Sequence, residues 1–221
     1  MTRALESLRR RARGERPSDE GVSIVELVIA MLIFSVVLAA YFGALISMVN
    51  TTARAKNSVD ASDALRATYN TMEQQVRYAT SINRPVQGVS GAWYVEFEST
   101  MLPNNMPSMC YQWRLDPTTK VMSYRTWSED GVTVTAWHGV AWDVESIGAG
   151  SPFTFTKASA TILAQSLTVG LQATGPSGEL LGQQSTTFVA RNSSTRSRSN
   201  PDDNGDGVSD DQVCVIRMDR P

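Results

Sequence analysis

Three hydropathy patterns follow one another along the chain, and each predicts a different kind of element. From Val22 to Val49 the sequence is almost wholly apolar, and Glu26 is its single acidic or basic side chain. At 1.5 Å per residue such a run exceeds the roughly 30 Å of a bilayer's hydrocarbon core, so it predicts a membrane-spanning helix over 22–49. It is longer than the apolar region of a secretory signal peptide, and no small-residue cleavage site follows it. Over 50–84 the pattern becomes amphipathic. Leu65, Tyr69, Met72, Val76 and Ala79 recur at spacings of three and four, while Arg66, Glu73, Gln74 and Arg77 take the other faces. With no Pro or Gly between Gly43 and Pro85, the spacing predicts one continuous helix to about Ser81. Gly43 is compatible with a local bend or with close packing.

Beyond Pro85 the period drops to two, and a head domain is expected over 85–190. Trp93, Val95 and Phe97 alternate with Tyr94, Glu96 and Glu98. The runs CYQWRLD and KVMSYRTW flank the turn Asp116-Pro117-Thr118-Thr119, a hairpin signal. Further strands are expected at Thr133–Trp137, around Ala141–Val144, at Ile162–Ala173 and at Gln184–Ala190. A turn at Gly175-Pro176-Ser177-Gly178 joins the last two. A long helix followed by an antiparallel meander predicts an α+β fold, the helix covering one sheet face.

The two ends are polar. Residues 1–21 form a leader with Arg3, Arg9, Arg10, Arg11, Arg13 and Arg16, which outnumber Arg54 and Lys56 on the far flank of the span. The positive-inside rule then keeps the N-terminus in the cytoplasm and exports the rest. Residues 191–201 are Ser-rich and basic and are expected to form a flexible linker. An acidic tail, 202–221, closes the chain.

Composition narrows the chemistry. Among 221 residues, 20 Lys+Arg against 22 Asp+Glu give a net charge of −2, which speaks against nucleic acid as a general partner. One histidine, His138, and two cysteines, Cys110 and Cys214, leave little material for metal or thiol catalysis. No HExxH, GxSxG, Walker A or CxxC motif occurs, and His138 has no identifiable nucleophile beside it, so the chain is expected not to be an enzyme.

The junction Gly21-Val22-Ser23-Ile24-Val25-Glu26-Leu27, preceded by a basic leader and opening an apolar helix, resembles the processing site of type IV pilins and of type II secretion pseudopilins. Gly21 matches the last leader residue, and Ser23 to Leu27 match the following positions in type. Val22 stands where the family usually has Phe. The resemblance implies cleavage by a prepilin peptidase between Gly21 and Val22, N-methylation of Val22, and a long helix on a β-rich head. It implies an inner-membrane precursor whose helices later leave the membrane to form the core of an extracytoplasmic filament. The implied partners are other pilin or pseudopilin subunits, the peptidase and the assembly platform. Glu26 would pair with the terminal amine of a neighbouring subunit, because either charge alone in an apolar bundle costs about 3–5 kcal/mol. The ending TTFVARN is similar to the last strand of the larger minor subunits, the J- and W-types.

The tail Asp202-Asp-Asn-Gly-Asp-Gly-Val-Ser-Asp210 resembles the D-x-N-x-D-G-x-x-D core of EF-hand, dockerin and thrombospondin type 3 loops. That resemblance implies Ca²⁺ held by Asp202, Asn204, Asp206 and Asp210 side chains and the Val208 carbonyl, with Gly207 at the sharp turn. The twelfth position is Val213 rather than a bidentate Glu, and Asp211 is a candidate to complete the set. Export favours a Cys110–Cys214 disulfide, while free thiols or a bond from Cys214 to another subunit stay open. Two other functional classes also stay open: an uncleaved single-pass protein with a binding ectodomain, and a DNA-uptake pilus component contacting DNA through Arg191, Arg196 and Arg198.

Overall fold

The computed structural model describes residues 21–100, 107–129 and 133–221. The basic leader expected over 1–21 lies, except for Gly21, outside the described residues. One long helix, α1, runs from Ile24 to Arg77. The chain divides into two units, Met1–Ala53 and Arg54–Pro221.

In the first unit α1 is exposed on every side, and no residue of its most apolar window is buried. Its few hydroxyls turn back onto the helix: Ser35 donates to the Met31 carbonyl and Thr51 to that of Ser47. Such back-bonding removes polar groups from an otherwise hydrocarbon surface. The helix passes through Gly43 without interruption.

The second unit is a helix on two antiparallel sheets, the α+β arrangement expected. In the first sheet the strands are β1 (Ser81–Ile82), β2 (Val86–Gln87), β3 (Trp93–Ser99), β4 (Met109–Asp116), β5 (Val121–Ser128) and β6 (His138–Ala141). They pair in the order β1-β3-β4-β5-β6, with β2 also on β3. The second sheet holds β7 (Val144–Ser146), β8 (Phe153–Thr156), β9 (Ser166–Thr174) and β10 (Leu180–Val189), with β9 between β10 on one side and β7 and β8 as its remaining partners.

Leu65, Tyr69, Met72, Val76 and Ala79, the apolar face read from the sequence, are all buried in one core with Val95, Phe97 and Trp113 of the first sheet and Leu167, Val169 and Leu171 of the second. Tyr69 fixes the register of this packing. Its hydroxyl donates to the Gln184 carbonyl of β10 at 2.6 Å and accepts the Leu171 N–H of β9 at 3.1 Å. The Trp113 indole N–H donates to Gln75 of α1 at 2.8 Å.

Three sequence expectations shift. Helix α1 ends at Arg77 rather than Ser81, because Ser81 and Ile82 pair with Glu98 and Phe97 of β3. The strand expected at Thr133–Trp137 reduces to a single bridge, Val134 to Trp127, and continuous pairing starts only at His138. The segment around Ala141–Val144 is a junction between strands: Asp143, at φ 56°, turns the chain from β6 into β7. The β4–β5 hairpin forms where expected. The Asp116 carboxylate accepts the Thr118 and Thr119 N–H groups, and these bonds and nearby Arg114 hold it below the usual aspartate range against a desolvation that acts the other way.

Candidate functional site: the processing junction and the tail clip

Gly21, Val22 and Ser23 are non-helical and exposed, and α1 begins at Ile24. The Leu27 N–H reaches the Ser23 carbonyl at 3.0 Å and closes the first turn. Glu26 sits in that turn, where a carboxylate complements the helix N-terminus. Its side chain lies on the exposed surface of the helix. A Cβ added at Gly21 would meet nothing within 4 Å, so packing within the chain does not require glycine there.

Residues 16–42 match the family model for the prokaryotic N-terminal methylation motif. The chain carries a pilin-type N-terminal methylation motif. No curated protein and no solved structure matches it. The pilin-type motif covers the junction and most of the apolar helix.

The pilin-like head carries its distinctive chemistry at the C-terminal end. Cys110 of β4 and Cys214 form a disulfide, with Cα atoms 5.5 Å apart and a sequence separation of 104. The cystine packs with Trp127 and Val213 in a second small core. Just before it, Asn83 clamps Val213 on both sides: its amide donates to the Val213 carbonyl and accepts the Val213 N–H, each at 2.9 Å.

From the cystine onward the tail covers the face of the first sheet that points away from α1. The alternation in β3 predicts one apolar and one solvated face, yet Glu96 is 0% exposed and Glu98 only 4%. The cover explains this. Glu96 accepts from Gln112 Nε2 and Arg220 Nε, each at 2.9 Å, and its second oxygen accepts from Arg220 Nη2. Gln112 in turn accepts from Arg125 Nε at 2.7 Å, and Arg125 and Gln112 both donate to the Asp219 carbonyl. A buried carboxylate is tolerable only when paired and hydrogen-bonded in this way. Glu98, beside Glu129, has no such full compensation. Desolvation first, and Glu129 second, push its carboxyl up to about 7, against the opposing influence of Arg198.

Residues 191–200, read as a linker, run as a series of turns along β1. Ser199 is buried and donates to the Ile82 carbonyl at 2.6 Å, Ser197 donates to the Thr80 carbonyl, and the Ser193 hydroxyl accepts the Gln165 N–H at 2.7 Å. Hydroxyls thus satisfy the edge of a two-residue strand that has no further strand beside it. Of the three arginines considered for DNA, Arg198 is bound to Asp211 through two nitrogens.

The predicted calcium residues are placed as follows. Asn204, Asp206 and Asp210 are exposed on one loop, and Gly207 has φ 81°, the left-handed backbone that such a turn uses. Asp206 accepts the Val208 N–H at 2.8 Å, Asn204 accepts the Asp206 N–H at 3.0 Å, and Asp210 accepts the Asp203 N–H at 2.7 Å. Asp202 turns inward to Arg84, 3.4 Å away, and its other oxygen is buried without a hydrogen-bond partner. Asp211 is held by Arg198, away from this set. Among the described residues no three His, Cys, Asp or Glu side chains converge in a metal-holding arrangement.

Arg84, Glu96 and Arg220 were not singled out from the sequence. Nothing local marks them, since their partners lie more than 100 residues away along the chain.

Proposed function

We propose that the chain is the precursor of a pilus or pseudopilus subunit, cut between Gly21 and Val22, methylated at Val22, and assembled through the apolar half of α1. What supports this reading is a methylation motif set on a wholly exposed apolar helix whose lone charge, Glu26, lies in the first turn. Cleavage turns the Val22 nitrogen into an ammonium, and methylation keeps its charge. In an apolar bundle that cation and the Glu26 carboxylate of a neighbour satisfy one another, so only helices at the correct axial stagger avoid a buried unpaired charge. The precursor is an inner-membrane protein with its N-terminus inside, and the processed subunit belongs to an extracytoplasmic filament. Its size and the ending TTFVARN support a minor, J- or W-like subunit. The head serves as a load-bearing surface module rather than a catalyst.

The N-terminal mass of the protein extracted from its own host tests this. A chain starting at Val22 with one added methyl group is expected. An intact leader would instead make it an uncleaved, single-span protein with a binding ectodomain.

A second reading concerns the tail. The buried, unpartnered oxygen of Asp202 and the hard oxygen donors of Asn204, Asp206, Val208 and Asp210 suit Ca²⁺. Binding would draw Asp202 from Arg84 and order the loop next to the cystine. Sensitised terbium luminescence that calcium displaces, and that Asp206→Ala abolishes, is the expected result. Luminescence indifferent to Asp206→Ala would remove calcium from the account.

A further inference from the structure

A cleft of about 590 Å³ opens on the head between the two sheets. Its walls are Gln87, Trp93, Leu115 and Pro117 from the first sheet and its turns, and Glu145 and Gln172 from the second. The volume falls within the usual range for small-molecule sites, about 300–1,000 Å³. The walls differ in kind. Trp93 is half-buried and packs against the main core, and among the described residues no other aromatic ring or guanidinium is stacked on it. That sets it apart from Trp113, which stacks on Tyr124, and from Trp137, which contacts Arg114 and Arg125.

The opposite wall is a fixed polar row. Glu145 of β7 lies directly across from Gln172 of β9, and Gln172 donates to its carboxylate. Lys120 donates to Glu145 from the other side at 2.6 Å. These bonds hold the carboxylate below its usual range, the Lys120 bond contributing most. Gln87 is tied similarly, its amide donating to the Gly91 carbonyl at 3.0 Å, which leaves its own oxygen available. Gly148 and Gly150 complete the rim with no side chains, and an added Cβ at either meets nothing within 4 Å.

We propose that this cleft binds a saccharide, with one pyranose ring lying on Trp93. A pyranose has an apolar C–H face and a rim of vicinal hydroxyls. The indole offers a flat apolar surface to the first, and the oriented amide and carboxylate groups offer paired donors and acceptors to the second. The other common ligand classes fit less well. The Lys120 ammonium is committed to Glu145, so no free cation is available for a phosphate or a nucleotide. The open, polar rim does not suit an acyl chain, which requires enclosed apolar volume.

The test uses the full chain in detergent and saturation-transfer NMR. The probes are methyl glycosides of glucose, galactose, mannose and N-acetylglucosamine, with adenosine and uridine as controls. At least one glycoside is expected to show transfer concentrated on its ring C–H protons, with a dissociation constant on the order of millimolar. Trp93→Leu, which keeps an apolar contact to the core, and Gln172→Ala are each expected to weaken it by about tenfold, with the melting curve unchanged. Three results would each overturn the proposal: no transfer to any glycoside, transfer that survives both substitutions, or transfer to the nucleosides alone. Because every readout is on the head, the result is independent of how the N-terminus is processed.

Discussion

The first unit and the outer face of the first sheet invert the usual rule in opposite directions. Along Ile24–Val49 large apolar side chains stand in the open, and on β3 two glutamates are sealed inside. Soluble proteins rarely do either without a reason. The glutamates have theirs within the chain, since Arg220, Gln112 and Asn83 converge on Glu96. The apolar helix has none, because no residue of the described chain covers it. The difference separates what this molecule completes by itself from what it leaves for lipid or for another subunit.

Breaking the tail's cover should show the largest effects. Replacing Cys110 and Cys214 by serine frees a loop of 104 residues, and the chain-entropy relation puts the loss at about 4–5 kcal/mol. Denaturant melts of the double variant under oxidising conditions are expected to resemble those of the reduced wild type. Arg220→Ala is expected to cost about 3 kcal/mol, because it leaves Glu96 ionised and buried. Adding Glu96→Gln should recover much of that loss, and failure to do so would mean the arginine acts through packing rather than charge.

Glu98 sharpens the same contrast with a smaller effect. Its carboxyl titrates near 7 in the folded head, against 4.5 for an unperturbed glutamate. Between those values the folded state binds more protons than the unfolded one, so stability falls as pH rises from about 4.5 through 7 and is level above. Thermal melts across that window should show a decline of at most about 3 kcal/mol that Glu98→Gln removes. The smallest effect belongs to the other side of the comparison. Glu26→Ala should leave the melting of the head within about 0.5 kcal/mol of wild type, as for exposed sites generally. The same substitution should abolish incorporation into filaments, measured as the sheared surface fraction.

These regions also differ in how far the sequence reveals them. Local period was enough for Leu65 to Ala79, for the β4–β5 hairpin and for the apolar span, because each is decided by residues within a few turns of one another. The methylation motif was legible for the same reason, its signal being contained in the segment around Gly21 and Glu26. Glu96 and Glu98 were read only as the polar half of an alternation, since nothing in WYVEFES shows that a segment more than 100 residues later lies over it. Serines 193–199 looked like a linker because hydroxyls capping a strand edge have the same composition as hydroxyls in water. The cleft beside Trp93 was hidden for a related reason. Trp93, Glu145 and Gln172 become neighbours only through the packing of two sheets.

The distance between Glu96 and Arg220, 124 residues, also orders events in time. A ribosome makes β3 long before it makes the arginine that neutralises it, and Cys110 likewise waits for Cys214. Until those last residues emerge, the first sheet has a charged, uncovered face and no staple. The head therefore cannot lock before both cysteines and Arg220 have been made.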